Sequence, residues 1–362
     1  MGVEIKLTDQ QLPVSPAFVD YLYRRIHARD ADATWQDQVS ETLVPGEFGK
    51  RLEHARGVAE EVLTHPLGQK VIFRAYELFT ALLTGDEAKL AAYHSRFRFI
   101  LVVGCPRHGG TYLTKQLFRA IGMDPDAVPN VIAHDGFPDA APFHFGDRYN
   151  SHTNMLQQTA EYLAMVEEYF GAQPAGGKIV VPKKATKAAY QGGFFRTVFG
   201  PDAEYIITLR HPLTACISTY EKSDGLAANG LFQARSNIEE WAQRDLITGG
   251  MPAERVLAMD YFEAYARYWT FYHQQLATTG LAREQKWIVV PYGRERLMGL
   301  AQTLAGRLGR GGPVEDFKAE RKLDRHPAWA DRANYCAGSN VRAVAAAGTG
   351  ISAGGAAGRL VS

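Results

Sequence analysis

Short runs of β-branched and aliphatic residues, each ending in a turn that contains glycine, proline or arginine, predict the strands of a buried sheet. Residues 100–103 (ILVV) form the first run, residues 178–182 the second and residues 205–209 (YIITL) the third. Apolar runs without polar alternation are typical of strands that are covered on both faces, as in a parallel sheet. Helices on both sides of this sheet are therefore expected.

Apolar residues that recur every three or four positions predict these helices. Ser15-Pro16 and His65-Pro66 mark two helix starts, because a capping side chain is followed by proline in the first turn. Everything before about residue 95 is predicted to be helical, except residues 35–50, which are predicted to form loops. Later helices are expected over residues 153–170, 190–198, 213–223 and 260–276, and a charged surface helix over residues 309–331.

Two polar segments interrupt this pattern, residues 122–152 and residues 223–237, and both are predicted to be loops. Long loops in compact domains are often functional, and in a parallel sheet they leave from the edge where ligands bind. The aromatic residues of the helix over 260–276 are predicted to lie in the core. The chain is thus expected to have a helical N-terminal region, residues 1–95, packed on an α/β domain, residues 96–362, with a Gly/Ala-rich C-terminal tail.

The turn after the first strand has the features of an anion-binding loop. Residues 97–117 read FRFILVVGCPRHGGTYLTKQL, so the strand leads through residues 104–109 into a helix. The first N–H groups of a helix lack intrahelical partners and carry partial positive charge, and glycine lets the backbone approach phosphate oxygens. The spacing is that of the Walker A motif, but Gly110 stands where that motif has lysine. Taken alone, the pattern fits an ordinary tight turn before a core helix equally well.

A second strand-to-helix junction carries an arginine and a serine. Residues 203–220 read AEYIITLRHPLTACISTY: Arg210 closes the strand, Pro212 opens the helix and Ser218 follows in its second turn. Together the two junctions resemble the sulfotransferases that use PAPS, 3′-phosphoadenosine 5′-phosphosulfate. The 5′-phosphosulfate loop of that family has the form Pro-Lys/Arg-Ser-Gly-Thr-Thr, to which residues 106–111 are similar. Its 3′-phosphate motif has an arginine at the end of a strand and a serine eight positions on, the spacing of Arg210 and Ser218.

The resemblance covers residues 97–308. Residues 180–184 (VVPKK) resemble the strand and lysine that the family carries between its two motifs, and residues 287–308 resemble its late strand, tyrosine and helix. Three positions depart from the family pattern: His108 replaces a serine, Gly110 a threonine and His211 an aspartate. The resemblance implies an α/β fold of the P-loop NTPase-like sulfotransferase type, with a central parallel sheet flanked by helices.

The activity implied by the resemblance is transfer of a sulfuryl group from PAPS to an acceptor hydroxyl or amine, releasing PAP, without a metal. The residues implied to bind the nucleotide are Arg107, His108, Gly109, Gly110, Thr111, Tyr112, Arg210, Ser218 and, in the tail, Arg342. Arg107 is expected to stabilise the leaving phosphate oxygen, and Lys184 or its neighbour Lys183 to reach the transferring group. A solvated strand end explains Lys183 equally well and Lys184 somewhat less well.

The resemblance implies a general base between the two motifs, where the family has a histidine or glutamate. His134 follows the apolar triplet at residues 131–133, which predicts a short buried strand that ends at the ligand edge. An ordinary histidine pKa of about 6.5 suits proton transfer near neutrality. Asp135, which could orient His134 or act itself, and His108 stay open as alternatives. A turn-capping role for His134 stays open as well.

Two other function classes remain alternatives. A P-loop nucleotide or small-molecule kinase would need Mg²⁺, the Walker lysine and an acidic strand end, whereas this chain has Gly110 and Arg210 at those places. A non-catalytic protein that binds PAP or PAPS would fit the departures at His108 and Gly110. Turnover of labelled PAPS distinguishes that protein from an enzyme, and a Mg²⁺ requirement identifies the kinase.

The composition of the chain limits the classes of partner and the cellular location that we expect. The net charge is +1 over 362 residues, so neither a nucleic acid nor a membrane surface is an expected partner. Three widely spaced cysteines lack metal-ligand spacing, which favours the reducing cytoplasm, and Cys105 in the loop is expected to be a small buried residue. No apolar run has membrane-span length, and no signal peptide is seen. The acceptor is expected to be a small molecule or a carbohydrate, and neither its identity nor the oligomeric state follows from the sequence.

Overall fold

A four-stranded, all-parallel sheet forms the centre of the protein, with the strand order β2-β1-β3-β4. The strands are β1 (Phe97–Val103), β2 (Ile179–Lys184), β3 (Glu204–Leu209) and β4 (Lys286–Pro291). The computed structural model describes residues 12–28, 47–135, 137–138, 149–171, 177–223, 231–233, 237–278, 286–309, 313–318 and 326–329. The expected α/β class with a parallel sheet is therefore confirmed.

Helices pack on both faces of this sheet. The N-terminal helices are α1 (Pro16–Ile26), α2 (Glu47–Thr64), α3 (Pro66–Thr84) and α4 (Glu87–Arg96). Between the strands lie α5 (Gly110–Ala120), α6 (Asn130–Ala133), α7 (Tyr149–Phe170), α8 (Gly192–Phe199), α9 (Pro212–Lys222), α10 (Asn237–Thr248), α11 (Ala253–Leu257) and α12 (Tyr261–Thr278). After β4 comes α13 (Arg294–Arg307). Single 3₁₀ turns span Pro125–Ala127 and Thr186–Ala189.

The alternation of side chains along the strands divides the core into two apolar clusters. Phe99, Leu101 and Val103 of β1 join the larger cluster, which includes residues of α1, α3, α7 and α12. Ile100 and Val102 join the smaller one, between α5 and α13. The following aromatic residues of α12 are buried, as expected from the sequence: Tyr261, Tyr265, Tyr268, Trp269 and Tyr272. Cys105 is buried as well. No helix among the described residues is long and apolar enough to cross a membrane.

The strand register brings the carboxyl ends of all four strands to one edge of the sheet. Val102 pairs with Lys184, Val103 with Ile207, and Leu209 with Pro291. The turn before α5, the residues after β2 and the turn before α9 all start at this edge. This is the edge at which open parallel sheets bind ligands.

Three sequence predictions are wrong. Residues 130–133 form one helical turn, α6, and not a strand, because Pro129 starts a turn whose N–H groups bond back to its carbonyl and that of Asn130. Residues 47–50 begin α2, a charged helix without a clear apolar stripe, so its pattern resembled that of a loop. Residues 313–318 lack helical structure, because they run alongside α5, where the hydroxyl of Tyr112 donates to the carbonyl of Glu315.

Candidate functional site

A cavity of about 600 Å³ opens at the carboxyl edge of the sheet. It brings together ten of the predicted site residues: Arg107, His108, Gly109, Gly110, Thr111, Tyr112, His134, Lys184, Arg210 and Ser218. The alternative candidates Lys183 and Asp135 do not line it. Arg342 lies outside the described residues. Residues that are more than a hundred positions apart thus meet at one site, although each was chosen only from its own stretch of sequence.

The glycines of the loop are required by close contacts with β3 and α13. A β-carbon on Gly104 would lie 2.0 Å from the hydroxyl oxygen of Thr208. Gly109 has φ +88°, and a β-carbon there would lie 2.8 Å from Leu297. Arg107 also has a positive φ, 70°, which is uncommon for a residue with a side chain. These contacts restrict the residues that the loop can accept, and α5 starts directly after it at Gly110.

The two strand-to-helix junctions contact each other through their polar groups. Nη1 of Arg210 donates to the carbonyl of Arg107 at 2.8 Å, and Nε of Arg107 donates to the hydroxyl of Ser218 at 3.1 Å. Nε of Arg210 donates to Thr214 at 3.0 Å, and its guanidinium lies 4.0 Å from the ring centre of Tyr292. These bonds use part of the five N–H donors of Arg210 and leave the others for a ligand. Burial lowers the pKa of Arg210, whose side chain is almost inaccessible.

The two adjacent lysines of β2 point in different directions. Lys183 is buried outside the cavity, donates to the carbonyls of His134 and Phe137 at 2.9 and 2.7 Å, and lies 4.1 Å from the ring centre of Tyr162. Lys184 lines the cavity, and its stem passes 3.4 Å from where a β-carbon on Gly110 would lie. The space beside the Walker lysine position is thus filled by a lysine from the neighbouring strand. Of the two candidates, the geometry favours Lys184.

His134 and Asp135 follow α6 and lie beside Lys184. Asp135 accepts from the ammonium of Lys184 at 2.5 Å and from the backbone N–H and hydroxyl of Thr186 at 2.7 and 2.9 Å. Burial opposes its charge, but Lys184 and these bonds hold the pKa of Asp135 well below its usual range. A carboxylate this strongly engaged is a poor proton acceptor, so the structure favours Asp135 as an orienting group.

The pKa of His134 differs from the value that the sequence led us to expect. Burial first, and then the charge of Lys184, lower it to about 3. Nε2 of His134 lies 3.4 Å from the ammonium of Lys184. The imidazole is therefore neutral at physiological pH, but it is a weaker base than an ordinary histidine.

The imidazole of His108 packs behind the loop. It is buried, its Nδ1 lies 3.0 Å from the carbonyl oxygen of Thr208, and its ring stacks on that of His273 with centres 5.6 Å apart. Burial, followed by the neighbouring His273, lowers the pKa of His108 well below its ordinary value. A neutral, buried ring suits a support for the loop better than a ligand of the leaving group.

Further residues of the cavity were missed by the sequence analysis: Lys115, Lys222, Ile238, Trp241, Phe317 and Lys318. Lys222 could have been found from the sequence, because it lies one helical turn after Ser218 and therefore on the same face of α9. Trp241 and Phe317 come from segments whose approach depends on tertiary packing. No Asp or Glu is found among the described residues that line the cavity, whereas six of them are Lys or Arg. Such a lining favours an anionic ligand.

Within the described part of the chain, no group of three or more His, Cys, Asp or Glu side chains is arranged to hold a metal ion. Comparison of the sequence with models of protein families finds no matching family. A search of curated proteins finds no match either. The functional argument therefore depends on the geometry of this site.

Proposed function

We propose that this protein is a PAPS-dependent sulfotransferase, with the P-loop-like fold of that family. It would transfer a sulfuryl group from PAPS to a hydroxyl or amine of its acceptor and release PAP. One observation carries the proposal: Arg107, Arg210 and Ser218 meet across two strand-to-helix junctions, in a cavity whose described lining is cationic and lacks carboxylates. Two separate anion-binding junctions suit a nucleotide with phosphates at both its 5′ and 3′ positions.

The proposed binding roles follow from this arrangement. The N–H groups at the start of α5 and the side chain of Arg107 would hold the 5′-phosphosulfate, because helix N-termini and guanidinium groups stabilise such anions. The unused donors of Arg210, with Ser218, would hold the 3′-phosphate. Thr111 and Tyr112 lie in the first turn of α5, and Tyr292 stacks on Arg210. Arg342 remains a candidate from the sequence only.

The reaction would need charge stabilisation more than covalent chemistry. The acceptor oxygen or nitrogen forms a bond to sulfur while the bond from sulfur to the 5′-phosphate oxygen breaks, and that oxygen keeps the electron pair in PAP. Arg107 and Lys184 would neutralise the charge that develops on the leaving oxygen and the transferring group, as cations do in phosphoryl transfer. The acceptor proton would pass to His134, which lies beside Lys184, while Asp135 holds Lys184 in place.

The kinase alternative fits the described residues less well. A Mg²⁺-dependent phosphoryl transfer needs a lysine on the phosphates and acidic or hydroxyl ligands for the metal. Lys184 could replace the Walker lysine, but the described lining offers no carboxylate, and Asp135 is already paired. The non-catalytic alternative differs only in turnover. Because the two described cysteines, Cys105 and Cys216, are buried and do not form a disulfide with each other, we also propose the cytoplasm as the location.

The test is turnover of PAPS labelled with ³⁵S, in EDTA, with a mixture of phenols, sugars and amines as acceptors. We expect release of PAP and transfer of the label to at least one acceptor, with no gain from added Mg²⁺. Binding of PAP without transfer would identify the non-catalytic protein. Transfer of phosphate from labelled ATP, dependent on Mg²⁺, would identify the kinase.

A further inference from the structure

The part of the cavity near His134 and Lys184 contains an ammonium group, that of Lys222, without a counterion among the described residues. Lys222, in the last turn of α9, is half-buried and lines the cavity, and it makes no hydrogen bond or ion pair with any described residue. Burial and the charges of Arg107 and Lys184 lower its pKa, and its own charge in turn lowers that of His134. Lys222 therefore lies within electrostatic range of all three of these proposed reaction groups.

An unpaired cation beside two other cations is costly unless an anion binds there. The other two already have partners, because Lys184 pairs with Asp135 and Arg107 donates to Ser218. Lys115 also lines the cavity but is paired with Asp126 at 2.7 Å. Of the lysines near His134, Lys222 is thus the one whose charge is least compensated by described residues. It can accept a negative group that the nucleotide does not provide.

An apolar part of the cavity lining lies beside the segment that follows β2, because Trp241 contacts Lys187, three residues after Lys184. Trp241 and Ile238, one turn apart on α10, both belong to it. The indole ring is supported by Lys187, whose ammonium lies 5.2 Å from the ring centre and pairs with the buried Asp245 at 2.6 Å. A half-buried tryptophan held in this way offers a stable surface for the ring of a ligand.

The donors and acceptors in this part of the cavity distinguish aromatic ligands from sugars. No described lining residue of the cavity has a carboxylate or amide side chain, and His134, Lys184, Lys222, Ile238 and Trp241 have no hydroxyl either; the lining hydroxyls belong to Thr111, Tyr112, Ser218 and Tyr292. A sugar brings several hydroxyl donors, and each would need an acceptor to avoid being buried unpaired. An aromatic ring needs none, and a single acidic substituent would satisfy Lys222.

We infer that the acceptor is an aromatic acid with a ring hydroxyl, whose carboxylate pairs with Lys222 while its ring packs against Trp241. This inference rests on the proposed function, because it assigns the hydroxyl as the group that receives the sulfuryl. A phenol also suits the weak base at this site. Phenols ionise near pH 10, far more easily than alcohols, and nearby ammonium groups favour the phenolate further.

The test compares two probes of the same shape, 4-hydroxyphenylacetate and its neutral amide, 4-hydroxyphenylacetamide. Calorimetry measures their binding to the whole protein with and without PAP. We expect wild type to bind the acid at least about tenfold more tightly than the amide, the size of a charge-assisted hydrogen bond. Lys222→Gln should bring the ratio close to one by weakening the acid alone, and Lys222→Arg should restore part of it. Lys178→Gln, at the opposite end of β2, is the control and should keep the wild-type ratio.

The ring contact has its own variants. Trp241→Leu should weaken the acid and the amide by a similar factor, and Trp241→Phe should recover most of the loss, because a flat ring remains. A wild-type ratio of one, no binding of either probe, or an unchanged ratio in Lys222→Gln would overturn the inference. If Lys222→Gln weakens PAP instead of the acid, Lys222 belongs to the nucleotide site and the inference is again wrong. Failure of PAP to bind while the acid is still recognised through Lys222 would count against the proposed function alone.

Discussion

Arg107 connects the two junctions of the site, and this contact separates its binding role from its role in the reaction. Its side chain is exposed at the cavity and bonds to Ser218. If the guanidinium neutralises charge that develops on the leaving oxygen, Arg107→Ala should lower the single-turnover rate about 100-fold or more, with a smaller loss of PAPS affinity. Arg107→Lys should recover only part of the rate, because lysine keeps the positive charge but lacks the paired, planar N–H donors of the guanidinium. An unchanged single-turnover rate in Arg107→Ala would reject this role.

His134 predicts an unusual pH dependence. An imidazole accepts a proton only when neutral, and burial with Lys184 lowers the pKa of His134 to about 3. The neutral form therefore persists far below pH 6.5, so turnover should show no acid limb from His134 between pH 5 and 8. His134→Ala should lower turnover at least about 100-fold while PAP still binds. A limb near pH 6.5 in wild type that disappears in His134→Gln would contradict the lowered pKa.

The predictions from the sequence differ most from the structure at the level of single residues. Arg107, Arg210 and Ser218 could be predicted because each stands at a fixed place in a strand-turn-helix unit. The different surroundings of Lys183 and Lys184 could not be predicted. Adjacent strand residues alternate between the two faces of the sheet, and the sequence does not say which face holds the cavity. The pKa of His134 depends on burial and on Lys184, which lies fifty positions away in sequence.

The strand-loop-helix element over β1 and α5 depends on its glycines. Gly104 lies against Thr208 of β3, so Gly104→Ala should push the loop away from the sheet and lower both stability and PAP affinity. Gly57→Ala is a matched control, because Gly57 lies within α2 with nothing near its missing β-carbon, and alanine favours helix. Thermal unfolding with and without PAP measures both effects. Equal melting temperatures for Gly104→Ala and wild type would contradict the close packing at this position.

At the level of elements, the strands and the helices after them were predictable, because apolar runs and apolar stripes of this length have distinct periods. Only the first turn of α2, residues 47–50, was predicted as a loop, because this helix has no clear apolar stripe. Residues 130–133 were taken for a strand because a three-residue apolar run contains no period at all. The contact of residues 313–318 with α5 depends on tertiary packing around Tyr112 and Phe317, with ring centres 4.7 Å apart.

For the whole molecule, the larger apolar cluster joins the N-terminal helices to the sheet. Phe18 of α1, Val71 of α3 and Phe99 of β1 belong to it, and Arg25 pairs with Glu168 of α7 at 2.8 Å. Both parts should therefore unfold together in urea. In Trp35→Phe the remaining tryptophans all lie after residue 95, so fluorescence reports the α/β part and circular dichroism also reports the N-terminal helices. Two separate transitions would show that the two parts fold independently.

The most direct test of the nucleotide assignment is calorimetric titration of PAP and of AMP, which lacks the 3′-phosphate, in EDTA. Wild type should bind PAP at least about tenfold more tightly than AMP, because charge-assisted bonds to the 3′-phosphate contribute roughly 1.5–3 kcal/mol. Arg210→Ala should weaken PAP about 10- to 100-fold and AMP far less. Equal losses for both nucleotides would make Arg210 a structural brace of the loop, and binding of ATP with Mg²⁺ but not of PAP would contradict the assignment itself.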